Sequence, residues 1–366
     1  MKIGIDARFY GPIGKGIGRY LKNLIANLEN LDQENEYFVF LRRENFDLYQ
    51  PTNPRFHKVL ADYPWYSWQE QILLPFKLKK YHLDLVHFPH FNVPIFYCGK
   101  FVITVHDLIL RQINFKATSQ FWGVYLLKFF FARIITYLAI KRAIKIITVS
   151  EFVKNEIIRY YKVSPNTITV TYEASSMTQN IQNSNFKIQN SYLLYVGNVY
   201  PHKNLERLLS AFKLVLSNIQ YPIQLVLVGK IDYFYKRLQK LVKKLKIEDK
   251  VIFTGEVTDQ ELANLYQNAL AYICPSLMEG FGLPGLEAMA HNCPVVSSNA
   301  GPLPEIYDKA ALYFDPKSVE DIAEKIKKII IEPDLREKLK KIGLEQVKKY
   351  SWEKCAEKTL NIYKSI

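Results

Sequence analysis

Short, almost uninterrupted apolar runs, each followed by a stretch long enough for a helix, recur in two series along this sequence. No other feature restricts the fold as strongly. In the first half the runs are 2–6 (KIGID), 37–41, 56–60, 84–88, 101–105, 144–149 and 167–171. In the second half they are 192–197, 224–229, 250–255, 270–275, 294–299 and 311–316. Strands that read as continuous Val, Ile, Leu and Phe, rather than alternating, are covered on both faces, as in a parallel sheet with helices on either side. Each series therefore predicts a doubly wound α/β domain. The chain has 366 residues, more than a single core of ~250–300 residues usually reaches, so two Rossmann-like domains in tandem are expected. The Ser-, Asn- and Gln-rich segment 175–191 reads as the linker between a first domain over 1–174 and a second over 192–345. In such an arrangement, ligand is expected in the cleft between the carboxyl ends of the two sheets.

The charge is unevenly placed. The net balance is +14, of which residues 1–190 carry +10 and residues 191–366 carry +4. The first half is thus suited to an anionic partner: phosphates, a membrane surface or nucleic acid. Nucleic acid is set aside because no recognition module accompanies the charge. Segment 121–146 mixes Phe, Trp and Tyr with Lys128, Arg133, Lys141, Arg142 and Lys145. It reads either as an interfacial helix or as core helix with a basic rim. Those charges break every long apolar window, so no membrane crossing is expected. The opening MKIGIDARFY reads as a strand and not as a signal peptide. The four cysteines show no Cys-x-x-Cys spacing, so neither a zinc site nor a redox motif is indicated. A cytoplasmic chain, peripheral on the inner face of a membrane, is expected.

Three segments carry chemistry. Gly11, Gly14, Gly16 and Gly18 follow the first strand and lead into a helix expected from about Gly18. Such a loop lets backbone approach a phosphate or a sugar, although a plain flexible turn is the alternative. Its spacing fits neither the dinucleotide fingerprint nor a P-loop, which speaks against an NAD enzyme and a P-loop ATPase. The first strand of the second half ends in VGNVYPHKN, placing Lys203 where a helix begins. A cation there opposes the helix dipole unless both converge on an anion. The third segment is PSLMEGFGLPGLEAMA, with Glu279 and Glu287 eight residues apart around three glycines and Pro284. Pro284 suits a first helical turn, which places Glu287 in the helix and Glu279 in the loop before it. Carboxylates accept hydrogen bonds from vicinal diols, as in a sugar or a ribose, and the amides of Gly280, Phe281, Gly282 and Leu283 suit a diphosphate.

Taken in order, these segments resemble the retaining glycosyltransferases of family 4, which adopt the GT-B fold. The resemblance covers the opening strand and glycine loop, VHDL (105–108), VSEFVKNEI (149–157), VGNVYPHKN (196–204) and the Glu-x7-Glu segment. It continues through VVSSNAGPLPEI (295–306) to YSWEKCAEKTL (350–360). The flavour of PHKN and of HFPHFNVP resembles the mannosyltransferase-like branch. The resemblance implies roles position by position. Glu279 would hold hydroxyls of the donor sugar, Glu287 the ribose and Lys203 the diphosphate. Gly16 would approach the diphosphate from the first domain. His106 would contact the sugar near its reacting carbon, and Glu256 and Val257 would receive the base. Residues 346–366 would return to the first domain, with Trp352 packing at the junction. Many family members carry an arginine where this chain has Asn198, so Lys203 would bear most of the leaving-group charge, helped by His202 or Arg19. His106 could instead be a structural residue oriented by Asp107. His87, His90 and Asn92 would either line an acceptor site or shape a loop.

The expected reaction moves a hexose, best mannose from GDP-mannose, with retention of configuration to a glycan or polyprenyl-linked acceptor in cell-surface polysaccharide synthesis. No Asp-x-Asp triplet occurs, so neither a metal nor another cofactor is expected, and electrostatic stabilisation of the leaving diphosphate would dominate. The alternatives are a UDP-hexose-dependent transferase, a GT-B epimerase and a non-enzymatic anion-binding protein.

Overall fold

The computed structural model describes residues 1–109, 122–175, 188 and 191–366. They form two compact units. Among the described residues, the first unit comprises 1–109, 122–173 and 351–366, and the second 174–350. Most of the linker segment expected at 175–191 lies outside the described residues, as does Phe121.

The first unit holds strands β1 (Lys2–Asp6), β2 (Glu36–Leu41), β3 (Phe56–Leu60), β4 (Leu85–Phe88), β5 (Phe101–Val105), β6 (Lys145–Thr148) and β7 (Ile168–Val170). All pair in parallel, in the order β3-β2-β1-β4-β5-β6-β7. Helices α1 (Lys15–Leu31), α2 (Trp68–Lys79), α3 (Trp122–Arg142) and α4 (Glu151–Tyr161) belong to it. Helix α1 buries Leu21, Leu24, Ile25 and Leu28, the spacing of one helical face. It starts at Lys15, three residues before the Gly18 expected from sequence, because a 3-10 turn over Pro12–Gly14 already directs the chain into the helix. Ser150 caps α4 by accepting the Val153 N–H at 3.2 Å.

The second unit repeats this plan. Its strands β8 (Ser191–Val196), β9 (Ile223–Val228), β10 (Val251–Gly255), β11 (Ala271–Cys274), β12 (Val295–Ser298) and β13 (Ala311–Phe314) form a parallel sheet in the order β10-β9-β8-β11-β12-β13. Helices α5 (Leu205–Asn218), α6 (Tyr233–Leu245), α7 (Asp259–Asn268), α8 (Leu283–Ala290), α9 (Leu303–Tyr307), α10 (Val319–Ile331) and α11 (Pro333–Val347) complete it. Leu193, Leu225, Leu227 and Ile273 from the sheet share one core with Leu208, Phe212, Ile322 and Ile326 from α5 and α10.

The last helix, α12 (Trp352–Lys364), belongs to the first unit. Residues 346–350 remain with the second unit, so the return starts at Ser351. The Tyr363 hydroxyl lies 2.6 Å from His87 Nδ1, and Lys364 reaches Glu34 at 3.1 Å. In each sheet the order of connection reverses beside the first strand, between β1 and β4 and between β8 and β11. Ligands of doubly wound sheets settle at the carboxyl end of such a reversal. The chemistry-bearing segments after β1, β8 and β11 all leave from these points.

Candidate active site

In the second unit two loops meet above the β8/β11 reversal. After β8 the Tyr195 hydroxyl donates to the Asn198 carbonyl at 2.5 Å, and a 3-10 turn over Pro201–Lys203 delivers Lys203. Asn204 adopts a left-handed φ of 62°, and its amide binds the Pro275 carbonyl at 3.0 Å and the Pro316 carbonyl at 2.7 Å. The Leu277 N–H donates to the His202 carbonyl at 2.8 Å. These bonds lock the loop after β8 to the loop after β11.

Locking brings together two residues 76 positions apart: Lys203 Nζ donates to Glu279 Oε1 at 2.6 Å. Ser276 Oγ donates to the same oxygen at 2.7 Å, and the Ser276 carbonyl is in turn held by Ser298 Oγ at 2.7 Å. The Lys203 and Glu279 side chains are 16% and 15% exposed. Burial pushes the Glu279 carboxyl upward, but Lys203 and the Ser276 hydroxyl outweigh it and hold the group below its ordinary value. It is therefore a carboxylate at neutral pH. Burial, with Lys203 beside it, pushes His202 down to about 4.

Glu287 lies on α8 as the sequence implied, buried, with the Tyr266 hydroxyl 3.4 Å from Oε2. Gly282 caps that helix at φ 102°, a conformation that favours glycine. A β-carbon there would lie 2.5 Å from the Tyr307 hydroxyl, which donates to the Gly282 carbonyl at 2.6 Å. At Gly285 it would lie 2.3 Å from the Tyr307 ring. These two glycines are thus explained by the packing of Tyr307, without a ligand. Phe281 is buried edge-on to Tyr350, at 5.6 Å between ring centres. Leu283 opens α8 half-buried; Asn198 and Val257 are half-buried, and Glu256 is exposed just past β10.

In the first unit the glycine loop divides by role. A β-carbon at Gly14 would lie 1.8 Å from the Phe9 carbonyl oxygen, and one at Gly18 2.0 Å from that of Gly11. Both glycines serve the fold of the loop on itself. At Gly16 nothing lies within 4 Å, so this is the glycine of the loop that faces open space.

His106 follows β5, with Nδ1 3.0 Å from Glu173 Oε1 and Nε2 3.1 Å from the Pro89 carbonyl. Its carboxylate partner is Glu173 rather than the Asp107 suggested by sequence. Both ring nitrogens are engaged within the unit, so the group it presents is a positioned ring.

His87 is fully buried, with Nε2 2.7 Å from Thr104 Oγ1 and Nδ1 on Tyr363, and burial pushes its pKa down to about 3. His90 is wedged between Phe9, Tyr66 and Phe91, accepts the Asn92 N–H at 3.3 Å, and burial pushes it down to about 3 as well. The Asn92 amide donates to Glu70 at 2.6 Å. These contacts hold the loop after β4 in place.

One cluster escaped the sequence reading. Arg8, fully buried just past β1, binds Asp6 through Nε and Nη2 at 2.8 Å each, Glu70 at 2.6 Å and the Tyr63 carbonyl at 3.1 Å. It ties β1, α2 and, through Asn92, the loop after β4 into one frame beneath the glycine loop. The signal was a charged pair, Asp6 and Arg8, at the end of an apolar strand.

Comparison with known proteins gives the family. The pattern of Glycosyltransferase Family 4 matches residues 14–174, and that of glycosyl transferases group 1 matches residues 176–346. The chain is 35% identical over 229 residues to O-antigen chain mannosyltransferase B of Escherichia coli, covering 60% of each protein. It is 32% identical over 270 residues to O-antigen chain mannosyltransferase RfbU of Salmonella typhimurium, covering 74% of this chain and 71% of that one. Sucrose-phosphate synthase from Thermosynechococcus elongatus superposes with a TM-score of 0.79 at 21% identity, over 100% of this chain and 98% of that one, which gives the GT-B fold. With both family patterns in order along the sequence and a relative above 30% identity matched over most of its length, the chain belongs to glycosyltransferase family 4, on its mannosyltransferase-like branch.

Proposed function

We propose that the protein is a configuration-retaining hexosyltransferase that moves mannose from GDP-mannose to a glycan or polyprenyl-linked acceptor during cell-surface polysaccharide synthesis. The observation that carries this reading is the Lys203–Glu279 pair at the β8/β11 reversal. It sets a fixed cation against a carboxylate kept ionised, at the place where a doubly wound sheet receives ligand. Lys203 has three N–H groups and offers the charge needed by a leaving diphosphate. Glu279 accepts from hydroxyls of the sugar, Glu287 from those of the ribose, and the amides of Gly280–Leu283 complete the anion site. Asn198 contributes hydrogen bonding without charge. Gly16 is open to a phosphate or a sugar from the first unit, and the positioned ring of His106 serves the sugar. With the charge supplied by Lys203, transfer proceeds without a metal. Departing phosphate oxygen accepts the proton of the incoming hydroxyl on the same face, which retains configuration.

The relatives are named as O-antigen chain mannosyltransferases, which supports mannose as the sugar and a surface glycan as the product. Among the described residues no helix is long and apolar enough to cross a membrane. The exposed stripe Trp68, Ile72 and Phe76 on α2, with Lys79 and Lys80 beyond it, supports peripheral contact with an anionic bilayer. The test is a panel of nucleotide sugars with a lipid-linked oligosaccharide acceptor, read by product NMR before and after EDTA treatment. Mannose transfer from GDP-mannose with an α product and unchanged rate is expected. Transfer from a UDP-hexose instead, an inverted product, or activity restored only by Mg²⁺ would each overturn the corresponding part.

A further inference from the structure

A strut joins strand ends along the carboxyl edge of the first sheet. His106 directly follows β5, and Glu173 lies just past β7. Strand β6 stands between these two in the sheet, so the 3.0 Å bond from His106 Nδ1 to Glu173 Oε1 links strands that are not neighbours. Through Nε2 the same ring reaches the Pro89 carbonyl, just past β4, at 3.1 Å. The Tyr20 ring of α1 meets it edge-on, with 4.8 Å between ring centres. One histidine thus ties together the ends of β4, β5 and β7 and the helix that follows the glycine loop. The side chains of His106 and Glu173 are 13% and 6% exposed.

The two partners restrict what this ring can do. A carboxylate and a backbone carbonyl only accept hydrogen bonds. Glu173 therefore assigns a hydrogen to Nδ1, since the bond made by one ring nitrogen sets the tautomer. At Nε2 the Pro89 oxygen stands where a substrate proton would have to arrive. No lone pair of the ring is open to substrate, so His106 is not the group that takes the proton of an incoming hydroxyl. What remains for it is a ring in a fixed orientation, and Glu173 fixes it. Glu173 is also the last residue of the first unit before the chain passes into the second.

We propose that Glu173 is a positioning residue for the transfer reaction, acting through His106 by holding its ring in the orientation that meets the sugar. The inference rests on the reading of His106 as a sugar contact, and it adds the residue that sets that contact. An imidazole released from Glu173 is free to turn about its side-chain torsions. Misplacement by ~1 Å is enough to cost about 10²-fold in rate. A pair that served only the fold would show its loss in melting and not in turnover.

A double-mutant cycle on the full chain, run with the nucleotide sugar that supports transfer, tests this. His106→Ala and Glu173→Ala are each expected to lower kcat about 10²-fold with little change in donor KM, and the double variant to lose no more than either alone. Glu173→Gln, whose amide oxygen still accepts from Nδ1, is expected to recover most of the rate. Nitrogen-edited NMR of the wild type should show a hydrogen on His106 Nδ1 that loses its protection in Glu173→Ala. Should Glu173→Ala fail to fold, Glu173→Asp, a carboxylate drawn back by one carbon, takes its place with the same expectations. Full turnover without the Glu173 carboxylate in reach, losses that multiply in the double variant, or a wild-type Nδ1 without hydrogen overturns the proposal and leaves the His106 contact standing. Full turnover in His106→Ala overturns the sugar-contact reading and the proposal together.

Discussion

Replacing Lys203 by methionine keeps the aliphatic stem and removes the ammonium 2.6 Å from Glu279. At that separation and an effective dielectric of ~20, the attraction amounts to about 6 kcal/mol. Much of this offsets the desolvation of two side chains that are only 16% and 15% exposed. Removing one member of a buried pair costs about 3–5 kcal/mol, because the other charge is left behind. The remaining exposure and the Ser276 hydrogen bond place the loss near the lower end, about 3 kcal/mol at pH 7.5. The pH response identifies the cause. In the wild type the folded Glu279 carboxyl lies below its ordinary value, so its contribution is complete above the unfolded value of ~4.3 and is lost as pH falls through the folded value. In the variant, burial is opposed only by the Ser276 hydrogen bond and the weaker influence of His202, and the folded value is expected to rise above the unfolded one. The destabilisation is then largest at neutral pH and shrinks as pH falls and Glu279 takes up a proton. Urea unfolding at pH 7.5 and pH 5.0, with a common slope for the two proteins, measures this. Turnover should fall by about 10²–10³, the loss typical of a removed transition-state charge partner. A stability difference that is the same at both pH values, or below about 1 kcal/mol at pH 7.5, would refute the electrostatic reasoning.

Two further outcomes follow from the packing. Gly18→Ala should lose about 2–3 kcal/mol in thermal unfolding, because its β-carbon meets the Gly11 carbonyl; Gly16→Ala, facing open space, should gain up to ~1 kcal/mol while raising KM for the donor. Equal melting temperatures for the two variants would contradict the division of roles in that loop. Tyr363→Phe strips His87 Nδ1 of its partner and should cost about 1–3 kcal/mol with KM for the acceptor unchanged. A raised acceptor KM with unaltered melting would place His87 at the acceptor site.

The fold was legible because each strand of a sheet covered on both faces writes its burial locally, as an apolar run of three to six residues. The site was legible in pieces. Lys203 stands out by opposing a helix dipole, and Glu279 by its glycine-rich setting, but their contact depends on strand order across 76 residues. No local pattern encodes that order. His87 and His90 show the converse. In sequence they read as polar groups at a strand end; the arrival of Tyr363 makes His87 internal, and Phe9, Tyr66 and Phe91 leave His90 half-buried. Glycine was the least reliable sign: Gly282 and Gly285 make room for Tyr307, whereas Gly16 makes room for nothing in the chain. Arg8 was overlooked because a buried arginine is rare, and its two carboxylates, Asp6 and Glu70, lie 64 residues apart in sequence.

The return of α12 to the first unit has a consequence for how the protein is made. His87 and Tyr363 are 276 residues apart, so the unit synthesised first is the last to be completed. At ~5–20 residues per second, the ribosome needs roughly ten to forty seconds to pass from the end of β7 to α12. Over that interval α1 waits without the helix that covers it, while the second unit emerges whole. Nascent chains stalled before Ser351 should therefore be held by chaperones through the face of α1, and release should coincide with synthesis of the final helix.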